Sequence, residues 1–435
     1  MSGTQQGWRS TSGGGGSPSS DITIQNTLYV MKNGDDSTAL PNRLDKPFLT
    51  IYEASLQAVA GDVIYVFAGD YDEADNDWVQ SDVIYDFQEG ANVTNVDSCI
   101  SDGAIAKNIH IQGNGNFIQS GSDFSKAVVY ITKEGSNLYL RCNNITANTN
   151  GINILNINNP YDIKVNTITV ALQYAINLRG GVNHGSIEFN EIISTSQSVS
   201  ILFRNCNTDN EERNVYIKGK YIKTNQNAFN QGVIDFISAF STKAYITVTK
   251  IEHYAGSLGG IVRGDSGLCF LSDTNAVGVG YGYQSTGSHI GLVLNCNIKA
   301  VSTGIYILGQ SRINCINTLV IAESTTSPQA TVLVNNENGQ LTAKNCTFVQ
   351  LGANGKASVV SLETPRSQIN FASCVFIGNV LNVESIKNSK LQPANIYIQE
   401  DCSANLPVST FITNQITGTN IVVDSDIIQN TNNFF

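Results

Sequence analysis

Asp235 in the phrase GVIDF and Asp265 in VRGDS stand in comparable places thirty residues apart, with Arg263 beside the second acid. Paired carboxylates can hydrolyse a glycosidic bond, one as acid and the other as base or nucleophile, when about 5 to 10 Å separates them. Strands stacked in a sheet lie about 4.8 Å apart, so acids on neighbouring rungs could meet that condition. A solvated strand face is the competing account, and it also covers Glu188, Glu191 and Glu252. A second candidate lies downstream. Residues 273–289, DTNAVGVGYGYQSTGSH, are rich in Gly, Tyr and Ser and are expected to protrude as a loop. Tyr281 and Tyr283 within it would offer flat faces to a sugar ring, unless the loop is only a connector.

Other chemistries have less support. His110, His184, His253 and His289 share no metal-binding spacing and are expected in solvated or turn positions, His110 facing outward from a strand. No C-x-x-C pair, G-x-S-x-G elbow or phosphate loop occurs, so neither a metal nor a cofactor is expected. RGDS at 263–266 spells an adhesion motif too short to carry meaning alone. A net charge of −11 gives no basic field to gather phosphates, which argues against nucleic acid. No apolar run reaches the roughly 18–20 residues of a membrane-spanning helix, so no membrane insertion is expected. Residues 1–20 read as a Gly/Ser-rich arm and not as a secretion leader. Nine cysteines, an odd number, then point to reduced thiols, and those within the repeats to small residues stacked in a core.

The elements that must position these residues come from a repeat. LYLRCNNIT at 138 returns as IKVNTIT at 163, IEFNEII at 187, VYIKGKYI at 215, ITVTKIE at 246, LVLNCNI at 292, INCINTLVI at 313, LTAKNCTF at 341 and INFASCVF at 369. From 163 onward the starts differ by 24, 28, 31, 46, 21, 28 and 28, and the longest gap is expected to hold a degraded copy at 268–271. Each copy alternates apolar and polar residues and bends through a polar pair that often contains Asn. A second alternating element follows, such as GVIDF or GIYIL. So short a unit cannot bury its own apolar face, whereas a stack of them can; Ile and Val at period 2 exclude a leucine-rich repeat. The predicted fold is all-β, a right-handed parallel β-helix. Asn suits the bend because it tolerates the left-handed conformation and its amide can ladder between coils.

One helix stands apart from the repeat. Thr50 as N-cap, Glu53 completing a capping box and Gly61 as the stop predict a helix over 51–60. Its small apolar face would plug the open N-terminal end of the stack. The expected organisation is an arm at 1–20, a first strand and capping helix at 21–62, coils at 63–385 and a closing segment at 386–435.

The stretch YVMKNGDDSTALPNRLDKPFLTIYEASLQAVAGDVIYVFAGDYDE, followed by YDFQEGANV, resembles the N-terminal module of pectate-lyase-like β-helix proteins. That module recurs in tailspikes and fibres of tailed bacteriophages and in bacterial surface proteins. The match is specific over residues 29–93 and extends to the coils as pattern. The acidic calcium cluster with a following Arg base, on which the lyases rely, has no counterpart here. The resemblance implies a virion protein, a homotrimeric fibre or spike used to attach to a host-surface glycan. Trp8 and Arg9 in the arm would dock it onto other virion proteins, and the aromatics ending DIIQNTNNFF at 426–435 suit a trimer axis. The fold also hosts enzymes and inert spacers, so a polysaccharide depolymerase and a structural decoration or baseplate protein stand as alternatives.

Overall fold

The computed structural model describes residues 25–73, 77–155, 160–180, 185–195, 199–204, 213–225, 232–239, 242–254, 260–278, 280–323, 330–334, 338–351, 358–362, 368–378, 384–388, 395–398, 403–404 and 420–423. The chain winds into a parallel β-solenoid. Each regular coil gives two consecutive stretches, a first and a second arm, to one 25-stranded sheet, and one short strand to a 12-stranded sheet. Parallel pairing starts with Thr27–Val30 on Val63–Val66 and reaches Asn395–Ile398 on Asn420–Val423, beyond the 385 boundary drawn from the sequence.

The alternation in sequence becomes the inside and outside of the stack. In Tyr161–Val170, Ile163, Val165, Ile168 and Val170 are buried while Lys164 and Asn166 face outward. Ile163, Ile187, Ile217 and Ile246 then sit one above another, each coil covering the apolar face that the previous one exposes. The spacing along this column is 24, 30 and 29 residues, not the expected 24, 28 and 31. Register, and not the look of each phrase, decides the match, and a slip of two residues preserves the alternation.

The bends behave as their chemistry requires. In the later coils Asp273, Asn295, Asn317, Asn345 and Ser373 take positive φ, between 50° and 54°. Asn295 donates its amide N–H to Asp273, Asn317 to Asn295 and Asn345 to Asn317, at 3.1, 3.2 and 3.2 Å. A second ladder runs from Asn92 through Asn116, Asn143 and Asn166 to Asn190, and its first member donates to Asp70 at 2.7 Å. Both ladders begin on an aspartate. Every member donates to the coil before it, so only the first place can hold a side chain that accepts and never donates.

The residue after each later bend points its small donor back at the carbonyl two positions earlier. Thr274, Cys296, Thr318, Cys346 and Cys374 all do so, at 2.8 to 3.2 Å. Cysteine here replaces threonine as a weak donor, which is more than the small apolar filler expected. All seven cysteines among the described residues are buried thiols outside any disulfide.

The helix spans Ile51–Gln57 and ends at Ala58, three residues short of the sequence expectation. The Val59 N–H turns to the Asp62 carboxylate at 3.0 Å and leaves the helical pattern there. Thr50 caps Glu53 N–H as expected, but the reciprocal place belongs to Asp36, which takes Thr50 N–H at 3.1 Å. The Glu73 carboxylate accepts Ile51 and Tyr52 N–H, closing the helix start from a strand end. Ile51, Ala54 and Ser55 are buried on the side that packs against the first two strands. The arm 1–20, with Trp8 and Arg9, and the tail 426–435 lie outside the described residues.

The ladder's direction is testable. Asn317→Asp should lower stability by about 0.5–1.5 kcal/mol, because it removes a donor in mid-ladder, whereas Asp273→Asn should cost less. Thermal melts of the two variants compare them directly; equal losses would refute a directional ladder.

Candidate functional site

Of the acids singled out in sequence, Asp235 lies on a strand of the 12-stranded sheet and Asp265 just past the end of the neighbouring strand. Asp235 sits in Ile234–Ile237 between two inward residues, Ile234 and Phe236, and is fully buried although it faces away from the core. Its register partner one coil on is Arg263, whose Nη1 lies 3.6 Å from Oδ2. Gly232 N–H approaches the same oxygen at 3.4 Å, while Oδ1 has no hydrogen-bond partner. Burial pushes the Asp235 carboxyl up to about 7, and Arg263 offsets only part of that rise. The arrangement is a buried acid beside a guanidinium, able to hold a proton near neutral pH.

Asp265 is placed differently. It follows the strand Gly260–Gly264, two positions past Arg263, and its Oδ1 accepts Ser238 N–H at 2.8 Å and the Ser266 hydroxyl at 2.7 Å. Those bonds fix a turn between coils. The structure thus brings Asp235 and Arg263 together directly and gives Asp265 a bracing position beside them. Glu252, on the opposite sheet, accepts from Lys250, Tyr221 and Tyr254, and these donors hold it ionised, down to about 2.

The described residues of 273–289, all but 279, do not protrude. Asn275–Gly278 and Tyr281–Ser285 are regular strands of the stack. Tyr283 is buried with its hydroxyl 2.7 Å from His289 Nε2, so it has no open face for a ligand; Tyr281 is half-buried against Tyr306, with ring centres 4.9 Å apart. His289, expected in a solvated or turn position, is fully buried. Its Nδ1 lies 2.8 Å from the Ser266 carbonyl, which can only accept, so Nδ1 carries the proton and Nε2 accepts from Tyr283. Burial holds this imidazole down at about 4. His253 is also buried, contrary to expectation, whereas His110 faces outward as expected but is half-buried rather than solvated; His184 lies outside the described residues.

Sequence reasoning missed an outward row of rings on the first arm of the large sheet. Tyr216, Tyr245 and Phe270 are register partners on three consecutive coils. Their ring centres lie 5.0 and 4.6 Å apart with planes at 15° and 4°, a continuous stack on the surface. Tyr216 at its end is 51% exposed. The signal was present in VYIKGKYI, AYITVTKIE and CFLS, each with an aromatic just before an inward Ile or Leu. Aligning Val215 with Ile246 instead of Ile217 with Ile246 hid it.

No protein-family model matches this chain, and neither a curated protein nor a solved structure does.

Titration should separate the two buried groups. Asp235 keeps its proton in the folded state between about 3.8 and 7, where the unfolded chain has lost it, so its contribution to stability falls as pH rises through that window. His289 acts oppositely: its contribution is complete above 6.5 and is lost as pH falls toward about 4. Asp235→Asn should therefore gain about 1–3 kcal/mol on the parent protein between pH 5 and pH 8. Denaturant unfolding at the two pH values reads that difference, and a gap independent of pH would contradict the assignment.

Proposed function

We propose that this chain is the shaft of a surface-attachment protein, a fibre or spike of the tailed-phage kind, and that its solenoid displays a glycan-binding face. The observation that carries this is the Tyr216–Tyr245–Phe270 row, three outward rings stacked on consecutive coils. Lone apolar residues on a surface need no explanation, but aligned aromatics repeated coil after coil form an amphipathic surface of the kind that takes sugars. The likeness of residues 29–93 to the N-terminal module of phage spikes supports the virion setting. On that reading the arm with Trp8 and Arg9 would hold the protein to the particle.

A homotrimer belongs to the same proposal. The second arms of later coils carry an outward column of Val277, Lys299, Ile321, Val349 and Ile377, where the five coils before them place Thr146, Thr169, Ile193, Lys223 and Glu252. An aliphatic strip on one side of a rod suits burial against further copies of itself.

The depolymerase reading rests on Asp235 alone, a carboxyl able to donate a proton near neutrality. Its neighbour Asp265 is occupied by two hydrogen bonds, which weighs against a working pair.

Binding to polysaccharide extracted from host cells tests the main reading. Tyr245→Ala should weaken it about tenfold without shortening the glycan in either protein. Undiminished affinity would refute the aromatic row as the binding face, and progressive shortening abolished by Asp235→Asn would establish the enzyme instead. Light scattering on a sizing column should show three chains, reduced to one by Ile321→Glu with Val349→Glu; a monomeric parent protein would refute the trimer.

A further inference from the structure

The outward column of the first arm does not begin at Tyr216. Counted along the register it runs His110, Tyr139, Asp162, Ser186, Tyr216, Tyr245 and Phe270. The rings are therefore interrupted for two coils. Arg141 fills the first interruption: its guanidinium lies 4.3 Å from the centre of the Tyr139 ring, pairs with the Asp162 carboxylate and donates to the Asp162 carbonyl at 3.0 Å. The second interruption stays open. Ser186 carries only a hydroxyl there, and that hydroxyl donates along the column to Asp162 Oδ1, one coil earlier, at 2.7 Å. Tyr245 covers one face of Tyr216, so the free face is the one turned toward Ser186.

We propose that the Ser186 rung is a subsite for one neutral hexopyranose. The sugar ring takes the place of the missing aromatic, stacked on the free face of Tyr216, and its hydroxyls bond to the Asp162 carboxylate. Coil spacing of about 4.8 Å sets the room: one rung without a ring leaves the depth of a single ring between Tyr216 and the Arg141 guanidinium. The choice of a neutral sugar follows from the flanking charges. Arg141 is paired with Asp162, and Lys164 lies 3.4 Å from Glu188, so hydroxyl recognition and not net charge selects the ligand. A chain of net charge −11 also repels a phosphodiester, which disfavours a nucleobase on the same ring face.

This inference deepens the glycan-binding reading and rests on it, and one experiment separates the two. The full chain is mixed with the methyl pyranosides of glucose, galactose and mannose at millimolar concentration, and saturation transfer to each sugar is read by NMR. Ser186→Tyr completes the ring column and closes the subsite, whereas Ser186→Ala leaves the rung open. The expected result is transfer to at least one pyranoside in the parent protein, retained in Ser186→Ala and reduced at least tenfold in Ser186→Tyr with an unchanged melting temperature. If Ser186→Tyr does not fold, Tyr216→Ala serves, since it removes the stacking face and keeps the coil. Transfer that survives both closure and Tyr216→Ala overturns the subsite while glycan binding stands. Absence of transfer to all three sugars overturns the subsite too, and the polysaccharide titration then decides the broader reading by itself.

Discussion

Every feature of this molecule depends on parallel, in-register stacking, which sets each residue about 4.8 Å above its counterpart in the coil before. A position in the repeat is thereby a column in space. Columns of Ile and Val make the core, columns of Asn make directed amide ladders, and columns of outward residues make the surfaces that other molecules meet. The same constraint limits size. A Cβ on Gly185 would come within 2.2 Å of the Tyr161 ring one coil away, and one on Gly219 within 2.1 Å of Phe189. A large ring in one coil thus requires a missing side chain in the next. Outside the core, the small Ser186 beside Tyr216 leaves the corresponding space open to solvent.

The buried polar groups of the middle coils follow this rule as well. His289 and Tyr283 fit inside because Gly264 and Gly291 give way: a Cβ on either would lie 2.4 Å from His289 Nδ1 or 2.6 Å from the Tyr283 hydroxyl. The imidazole is satisfied on both nitrogens and stays neutral. Asp235, two coils earlier and on the opposite side of its strand, keeps one oxygen without a partner and meets Arg263 only at 3.6 Å. Two titrating groups two coils apart therefore bias stability in opposite directions across the same pH range.

The solenoid was legible in the sequence because alternation of Ile and Val with polar residues, repeated with Asn bends, has few other structural solutions. The register was less legible. Sliding VYIKGKYI by two residues against its neighbour keeps Val215, Ile217 and Ile222 inward, so hydrophobic pattern alone cannot choose between the alignments, and the outward rings fell out of line. Residues 273–289 were misread for a different reason. Glycine and serine suggest a loop by composition, but Gly282 lies where a Cβ would come within 2.4 Å of the Gly304 carbonyl oxygen and Gly278 is pressed against Ile261. These glycines mark tight packing between coils. The burial of Asp235 and the bracing bonds of Asp265 depend on which turns fold over the short sheet, and two isolated acids carry no trace of that.

On this account function follows from repetition: a column that is aromatic over several coils becomes a binding strip, and a break in it becomes a place for one sugar. The most direct measurement is a structure of the protein with an oligosaccharide released from the host surface glycan. The account predicts sugar along the first-arm column, with one ring resting on Tyr216 beside Ser186. Sugar bound over Asp235 and Arg263 on the short sheet, with the aromatic column bare, would contradict it.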